Sequence, residues 1–310
     1  LTRRIAASFR PYSPQITVVG LLILFTAGLG VVNPLLIRVI FDSALFPESG
    51  RPDFELLLII GRVMAGLTVV TGGNGGIGLG IAMGLAGAGA NIVVAARSGE
   101  KTAQALEDIR ALGVEAHGIT VDVTQEPAIQ RMVTNTIDHM GRLDILVNNS
   151  GIAVRAQPQD LTAAQWDSVV DVNLRAAFLA SKEVYSHMVG AGGGKVINVG
   201  SMYSLFGSDW GAPYAASKAG LVQLTKSLAV AWAKGNIQVN AVLPGWFVTD
   251  LTRGIPDADP NRYDNINRRI PTGRWGEPSE LGGAAVFLAS AASDYVTGAA
   301  LTVDGGYSSA

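Results

Sequence analysis

From about Met64 to the C-terminus, short apolar runs rich in β-branched residues alternate with longer amphipathic stretches, and this alternation leaves few architectures open. The runs at 67–70, 91–96, 118–121, 143–147, 195–199, 237–241 and 300–303 lack a strict apolar/polar alternation, which is how strands covered on both faces of a parallel sheet read. Helical spacing fills the intervals, for example at 76–88, 101–112 and 127–140. Strand, helix and strand in series predict an α/β protein, a Rossmann-type doubly wound parallel sheet of about seven strands with helices on both faces. No repeat with a period of ~20–50 residues occurs, so a solenoid is excluded.

The first run opens directly into Thr71, Gly72, Gly73, Asn74, Gly75, Gly76, Ile77 and Gly78, and a helix follows. Glycines allow positive φ and let backbone N–H groups approach a pyrophosphate, which the helix N-terminus then stabilises. In this context the turn reads as a dinucleotide fingerprint, although such turns also serve purely structural ends. A second constellation is Tyr214-Ala-Ala-Ser-Lys218, with Ser201 at the end of the 195–199 run. Positions i and i+4 share a helix face, so the Lys218 ammonium falls beside the Tyr214 phenol and is expected to lower its pKa from ~10 toward the working range. That makes Tyr214 a usable general acid/base, with the Ser201 hydroxyl holding the substrate oxygen.

Composition narrows the function. With 48% hydrophobic and 15% charged residues, the chain has a core to bury and is not a disordered polyelectrolyte. A net charge of -2 and a pI near 6.0 give no electrostatic footprint for nucleic acid. There is no cysteine, and the three histidines, His117, His139 and His187, lack metal-binding spacing, so no metal site is expected. The first 63 residues read differently. No charge occurs from Ile16 to Ile37, long enough to cross a ~30 Å hydrocarbon layer as a helix, with Pro34 placed to kink or end it. Arg3, Arg4 and Arg10 bias the N-terminus toward the cytoplasm, and a single crossing would then export the remainder. A buried apolar hairpin packed on the rest is the other reading. The division is therefore residues 1–63, a hydrophobic extension, and 64–310, a nucleotide-binding domain placed in the cytoplasm with a possible membrane tether. A chain beginning at Leu1 reads as a fragment, a processed chain or a fusion.

The glycine turn, Asp122-Val123, Asn148-Asn-Ser-Gly151, Asn173 in Asp171-Val-Asn-Leu174, Ser201, Tyr214 with Lys218, and Pro244-Gly245 followed by Thr249 occur in the order seen in short-chain dehydrogenases/reductases, which residues 64–310 resemble. Ser150 stands where that family usually has alanine. The resemblance implies an NAD(P)(H)-dependent interconversion of a secondary alcohol and a ketone. Tyr214 would exchange the proton, Lys218 would tune it and anchor the ribose, Ser201 would orient the substrate, and Asn173 would hold a water of the proton relay. It implies Asn148, Gly151, Asp122 and Val123 near the adenosine half, and Pro244, Gly245, Phe247 and Thr249 near the nicotinamide. Asn148 and Asp122 have structural readings as well, as a strand tie and a turn cap. About 20 residues past the glycines, where NAD-selective folds carry an acid, stand Ala96, Arg97 and Ser98, which favours NADP(H) over NAD(H).

Substrate contacts are expected from Ser201, Tyr203, Tyr214 and Trp246, with Met202, Leu205 and Trp210 nearby and a mobile lid spanning 246–275. The run Arg269-Ile-Pro-Thr-Gly-Arg-Trp-Gly-Glu-Pro278 resembles sugar-acid and polyol dehydrogenases and also 3-oxoacyl carrier-protein reductases, so the substrate is expected among these small molecules. A homo-oligomer, tetramer or dimer, is implied. Residues 1–63 resemble the elbow and first membrane helix of ABC-type exporter permeases, without any ATP-binding loop in the chain. The competing readings are a membrane-tethered, noncatalytic Rossmann-fold binding or scaffold protein and a permease fragment fused to a complete reductase.

Overall fold

The computed structural model of the protein describes residues 66–250 and 252–310. The proposed division at residue 63, the apolar run 16–37 and the permease-like stretch lie outside the described residues. Among the described residues no helix is long and apolar enough to cross a membrane.

Seven strands form one sheet: β1 (Leu67–Thr71), β2 (Asn91–Ala96), β3 (Ala116–Thr120), β4 (Ile145–Asn148), β5 (Gly194–Val199), β6 (Ile237–Pro244) and β7 (Ala300–Val303). Their order is β3-β2-β1-β4-β5-β6-β7, and every pairing is parallel. The order reverses between β1 and β4, so the carboxyl ends of these two strands open the crevice in which doubly wound sheets bind ligands.

Side chains divide by strand period. Val69, Val93, Leu146, Val196 and Val239 pack with Ile129 and Met132 of α3 (Glu126–Met140) and with Val184 and Met188 of α5 (Ala176–Gly190). On the other face Val70, Val94, Val147 and Ile197 pack with Ile81 and Leu85 of α1 (Gly76–Gly87), Ile109 of α2 (Gly99–Arg110) and Leu288 of α9 (Gly282–Ala289). Such two-sided burial is why the strands read as continuous apolar runs. The expectation fails at the edges: β3 begins at 116 rather than 118 and exposes His117, Gly118 and Thr120, and β7 alternates exposed with half-buried positions. An edge strand has only one neighbour to cover it.

Two helices carry the chemistry-bearing residues. Between α4 (Ala163–Val170) and α5 the chain makes a π-helical turn, Asp171–Arg175, that holds Asn173. The long α6 (Ala212–Trp232), with Pro213 in its first turn, carries Tyr214 and Lys218. The 246–275 segment forms α7 (Ile255–Ala258) and α8 (Pro260–Arg268) around its own apolar cluster of Ile255, Ile266, Ile270 and Trp275. It is thus a built subassembly with a core of its own.

Candidate active site

The crevice at the ends of β1, β2 and β4 is a cleft of about 580 Å³. Its floor is the glycine turn. Gly72 has φ +63° and Gly76 φ +50°, conformations that L side chains rarely adopt. A Cβ on Gly78 would run into the Gly72 carbonyl oxygen and the Asn149 amide, so close packing of the turn on the start of α1 requires glycine there. Asn149 donates from Nδ2 to the carbonyls of Thr71 (2.9 Å) and Gly72 (3.1 Å), and the Thr71 hydroxyl accepts from the backbone N–H groups of Asn149 and Ser150. Asn74 fastens the other side, donating to Ser98 O and Thr102 Oγ1.

Most of the expected cofactor residues line this cleft: Gly72, Asn74, Gly75, Gly76, Ile77 and Gly78 from the turn, Arg97 and Ser98 after β2, Asp122 and Val123 after β3, and Gly151 and Thr249. Arg97 is exposed at its rim. The Asp122 carboxylate accepts from the Thr124 backbone N–H (3.0 Å) and hydroxyl (2.8 Å), and these bonds, with a smaller contribution from Arg97, hold its pKa below the ordinary value. Asp122 therefore both shapes its turn and faces the cleft. Three expectations need correction. Asn148 does not face the cleft: its amide is buried and donates to Asn198 Oδ1 (2.8 Å) and Ser181 Oγ (3.0 Å), tying β4 to β5 and α5. Thr71 is buried beneath the turn, and Pro244 is buried at the end of β6. Asn149 and Lys101 line the cleft instead, and neither was expected there.

A second cavity of about 190 Å³ adjoins the first, with Ile77 and Thr249 in the walls of both. Ser201, Tyr203, Tyr214, Gly245, Trp246 and Phe247 line it as expected, and Met202 and Trp210 join them. Leu205 does not, being 52% exposed on the surface, and Trp275 belongs to the apolar core of the 246–275 segment.

Ser201, two residues past β5, is extended and accepts a hydrogen bond from the Tyr203 N–H at 3.2 Å. Its hydroxyl is hydrogen-bonded with the Tyr214 phenol. Tyr203 packs edge-on against Tyr214 at 6.1 Å. Asn173 accepts from Ile152 N (2.8 Å) and donates to Ile152 O (3.0 Å) and Ser217 Oγ (3.0 Å), bracing the loop after β4 against α6. The four residues of the expected catalytic set are thus brought to one place: Asn173 and Lys218 flank Gly151, Lys218 reaches the end of β5, and Ser201 meets Tyr214.

The electrostatics differ from expectation. Lys218 is 3% exposed and donates from Nζ to Val199 O at 2.6 Å, which leaves it 5.8 Å from the Tyr214 ring centre. Burial lowers its pKa to about 8, so it remains mainly an ammonium at neutral pH. Burial also pushes the Tyr214 phenol up from its ordinary value, against the lowering effect of the Ser201 hydrogen bond. The phenol is therefore held protonated rather than poised as phenolate.

Three arginines reach this cavity from two segments, Arg155 from the loop after β4 and Arg262 and Arg269 from α8 and its C-terminal end, and no carboxylate side chain lines it. Sequence reasoning passed over all three. Among the described residues none of them is in an ion pair. They lie instead over aromatic faces: Arg262 over Trp210 at 4.2 Å, Arg155 over Trp210 at 5.1 Å, and Arg269 over Tyr307 at 4.3 Å.

Residues 72–308 match the family described as enoyl-(acyl carrier protein) reductase. A 2-dehydro-3-deoxy-D-gluconate 5-dehydrogenase of Escherichia coli K12 is 41% identical over 242 residues, 78% of this chain and 94% of the relative. The chain belongs to the short-chain dehydrogenase/reductase family. A gluconate 5-dehydrogenase of Gluconobacter oxydans 621H is 40% identical over 238 residues, 77% of this chain and 93% of that one. Among solved structures, a gluconate 5-dehydrogenase from Burkholderia cenocepacia J2315, in complex with NADP and tartrate, is 41% identical with a TM-score of 0.74, covering 79% of this chain and 95% of the other. This short-chain dehydrogenase/reductase is an oxidoreductase that interconverts a secondary alcohol and a ketone. The likeness of residues 1–63 to an exporter permease has no counterpart among these relatives.

Proposed function

We propose that the enzyme oxidises and reduces a six-carbon sugar acid at its C5 carbinol, with NADP(H) as cofactor. The observation that carries this reading is the cavity beside Ser201 and Tyr214, whose wall holds three unpaired arginines and no acid. A carboxylate on the substrate satisfies such a wall with charge-assisted hydrogen bonds, and a neutral polyol does not. The relatives' names agree, since gluconate 5-dehydrogenase and 5-keto-D-gluconate 5-reductase both describe chemistry at C5 of an aldonic acid.

The glycine turn fits a dinucleotide, because the Gly78 position has no room for a side chain and the backbone N–H groups at the start of α1 are free to receive a pyrophosphate. Arg97, Ser98 and Lys101 line the cleft after β2 and would hold a ribose 2′-phosphate, and there is no acid at the end of β2 to repel it. When bound, the nicotinamide supplies the hydride donor or acceptor. In reduction, Tyr214 gives its phenolic proton to the carbonyl oxygen, which the Ser201 hydroxyl also holds by hydrogen bonding. In oxidation, the Tyr214 phenolate takes the proton from the substrate hydroxyl. Lys218 keeps positive charge near that phenolate, and Asn173 fixes the loop that flanks both.

Replacing Arg97 by Ala is expected to reduce the kcat/KM preference for NADPH over NADH about tenfold, the equivalent of one lost charge-assisted pair. A tenfold advantage for NADH in the unmodified enzyme would contradict the cofactor assignment. For the substrate, initial rates of nicotinamide absorbance change across sugar acids, neutral polyols and 3-oxoacyl thioesters should place a sugar acid first. First place for a 3-oxoacyl thioester would overturn the reading.

A further inference from the structure

Two guanidiniums lie over the Trp210 ring: Arg262 at 4.2 Å from its centre and Arg155 at 5.1 Å. These come from different parts of the fold. Arg155 follows β4, Trp210 precedes α6 and is held to the Arg155 loop by Ala156 N donating to Trp210 O (3.1 Å), and Arg262 lies in the first turns of α8 on the lid. Two positive groups sharing one indole repel each other, and each gains from the ring face only part of what a full counter-ion gives. Asp209 adjoins Trp210 in the chain and Asp259 caps α8 through the Arg262 backbone N–H at 3.0 Å, yet neither carboxylate is ion-paired with either guanidinium.

Resting on the sugar-acid reading, we propose that Arg262 is the receptor for the substrate carboxylate, and that the anion, seated between Arg262 and Arg155, fastens the lid helix α8 to the body of the enzyme. Arg262 is singled out from its two companions by burial and by its seat. It is half-buried where Arg155 and Arg269 are exposed, so its charge is less screened. Its guanidinium lies over Trp210 at the shortest of the cation–aromatic distances, so the ring holds it in place while its N–H fork stays available to a bidentate acceptor. Trp246, its ring centre 5.8 Å away, is a second aromatic wall that narrows the directions from which that acceptor can arrive. Charge recognition and lid closure are then a single event. A neutral polyol of the same length lacks the group that relieves the repulsion between the two arginines.

The test compares gluconate with a neutral polyol, sorbitol, on the full chain with saturating NADP. In the unmodified enzyme gluconate should have the higher kcat/KM. Arg262→Gln should lower the gluconate-to-sorbitol ratio by about 10–100-fold, mainly through KM for gluconate. Arg262→Lys, which keeps the charge without the planar fork, should recover part of that loss and serves also if the Gln variant does not fold. Independently of turnover, gluconate should change the indole emission of the unmodified enzyme, and this change should be lost in Arg262→Gln. An unmodified enzyme that prefers gluconate while both variants keep its ratio and its emission change would overturn the role of Arg262 and leave the sugar-acid reading standing. An unmodified enzyme with no preference for gluconate would overturn the sugar-acid reading itself.

Discussion

Tyr214→Phe is expected to lower kcat by about 10³–10⁴-fold, the range over which a positioned proton donor or acceptor contributes, while the affinity for NADPH stays within about twofold. The substitution removes one hydroxyl and keeps the ring. Phe still fits edge-on against Tyr203, whose ring centre lies 6.1 Å away, so the cavity wall and α6 should be preserved. What is lost is the hydrogen bond with Ser201 and the proton that the carbonyl oxygen requires. Steady-state turnover together with NADPH titration by fluorescence separates the two effects. Retained turnover with intact cofactor binding would remove Tyr214 from the chemistry.

The second large effect is expected at Lys218. Replacement by Met should lower kcat/KM about 10²-fold and displace the pH profile of alcohol oxidation toward alkaline pH. Burial raises the Tyr214 phenol above its ordinary value, so the proton-donating form needed for reduction is the stable one at neutral pH, and oxidation should accelerate as pH rises. Lys218, with a pKa of about 8, is still mostly charged at neutral pH and favours the phenolate. Methionine removes that charge without removing the desolvation, so the phenolate becomes harder to form. The Val199 carbonyl also loses its 2.6 Å donor, which lowers stability. Melting temperature and the pH profile distinguish the causes: a less stable variant with an unmoved profile would assign Lys218 a structural part alone.

How much of this was readable in advance follows from the physics of each position. Strands covered on both faces announce themselves as apolar runs, whereas edge strand β3, exposed at His117 and Thr120, was displaced by two residues because its pattern is weaker. The glycine turn was legible because the Gly78 position excludes any side chain, which makes glycine the residue that fits. Asn148 and Asn149 were harder. Successive strand residues point to opposite faces, so the first turns toward Ser181 on α5 and the second toward the glycine turn. Carrying the alternation one residue beyond β4 from Leu146 and Val147 would have separated them. The arginines gave no local signal. Arg155 is distant in sequence from Arg262 and Arg269, each reads as a solvated surface charge, and only the fold collects them around a cavity without acids. Likewise i, i+4 spacing placed Lys218 on the face of Tyr214 but gave no hint that Val199 O would take its hydrogen bond.

We propose that this cavity exchanges hydrogen at C5 of a sugar acid with NADP(H). The most direct test follows product by NMR while the purified enzyme reduces 5-ketogluconate with NADPH. The expected result is one equivalent of a C5 alcohol formed per NADPH consumed, lost in Tyr214→Phe. NADPH consumption without C5 reduction, or no consumption with this or any other keto sugar acid, would contradict it.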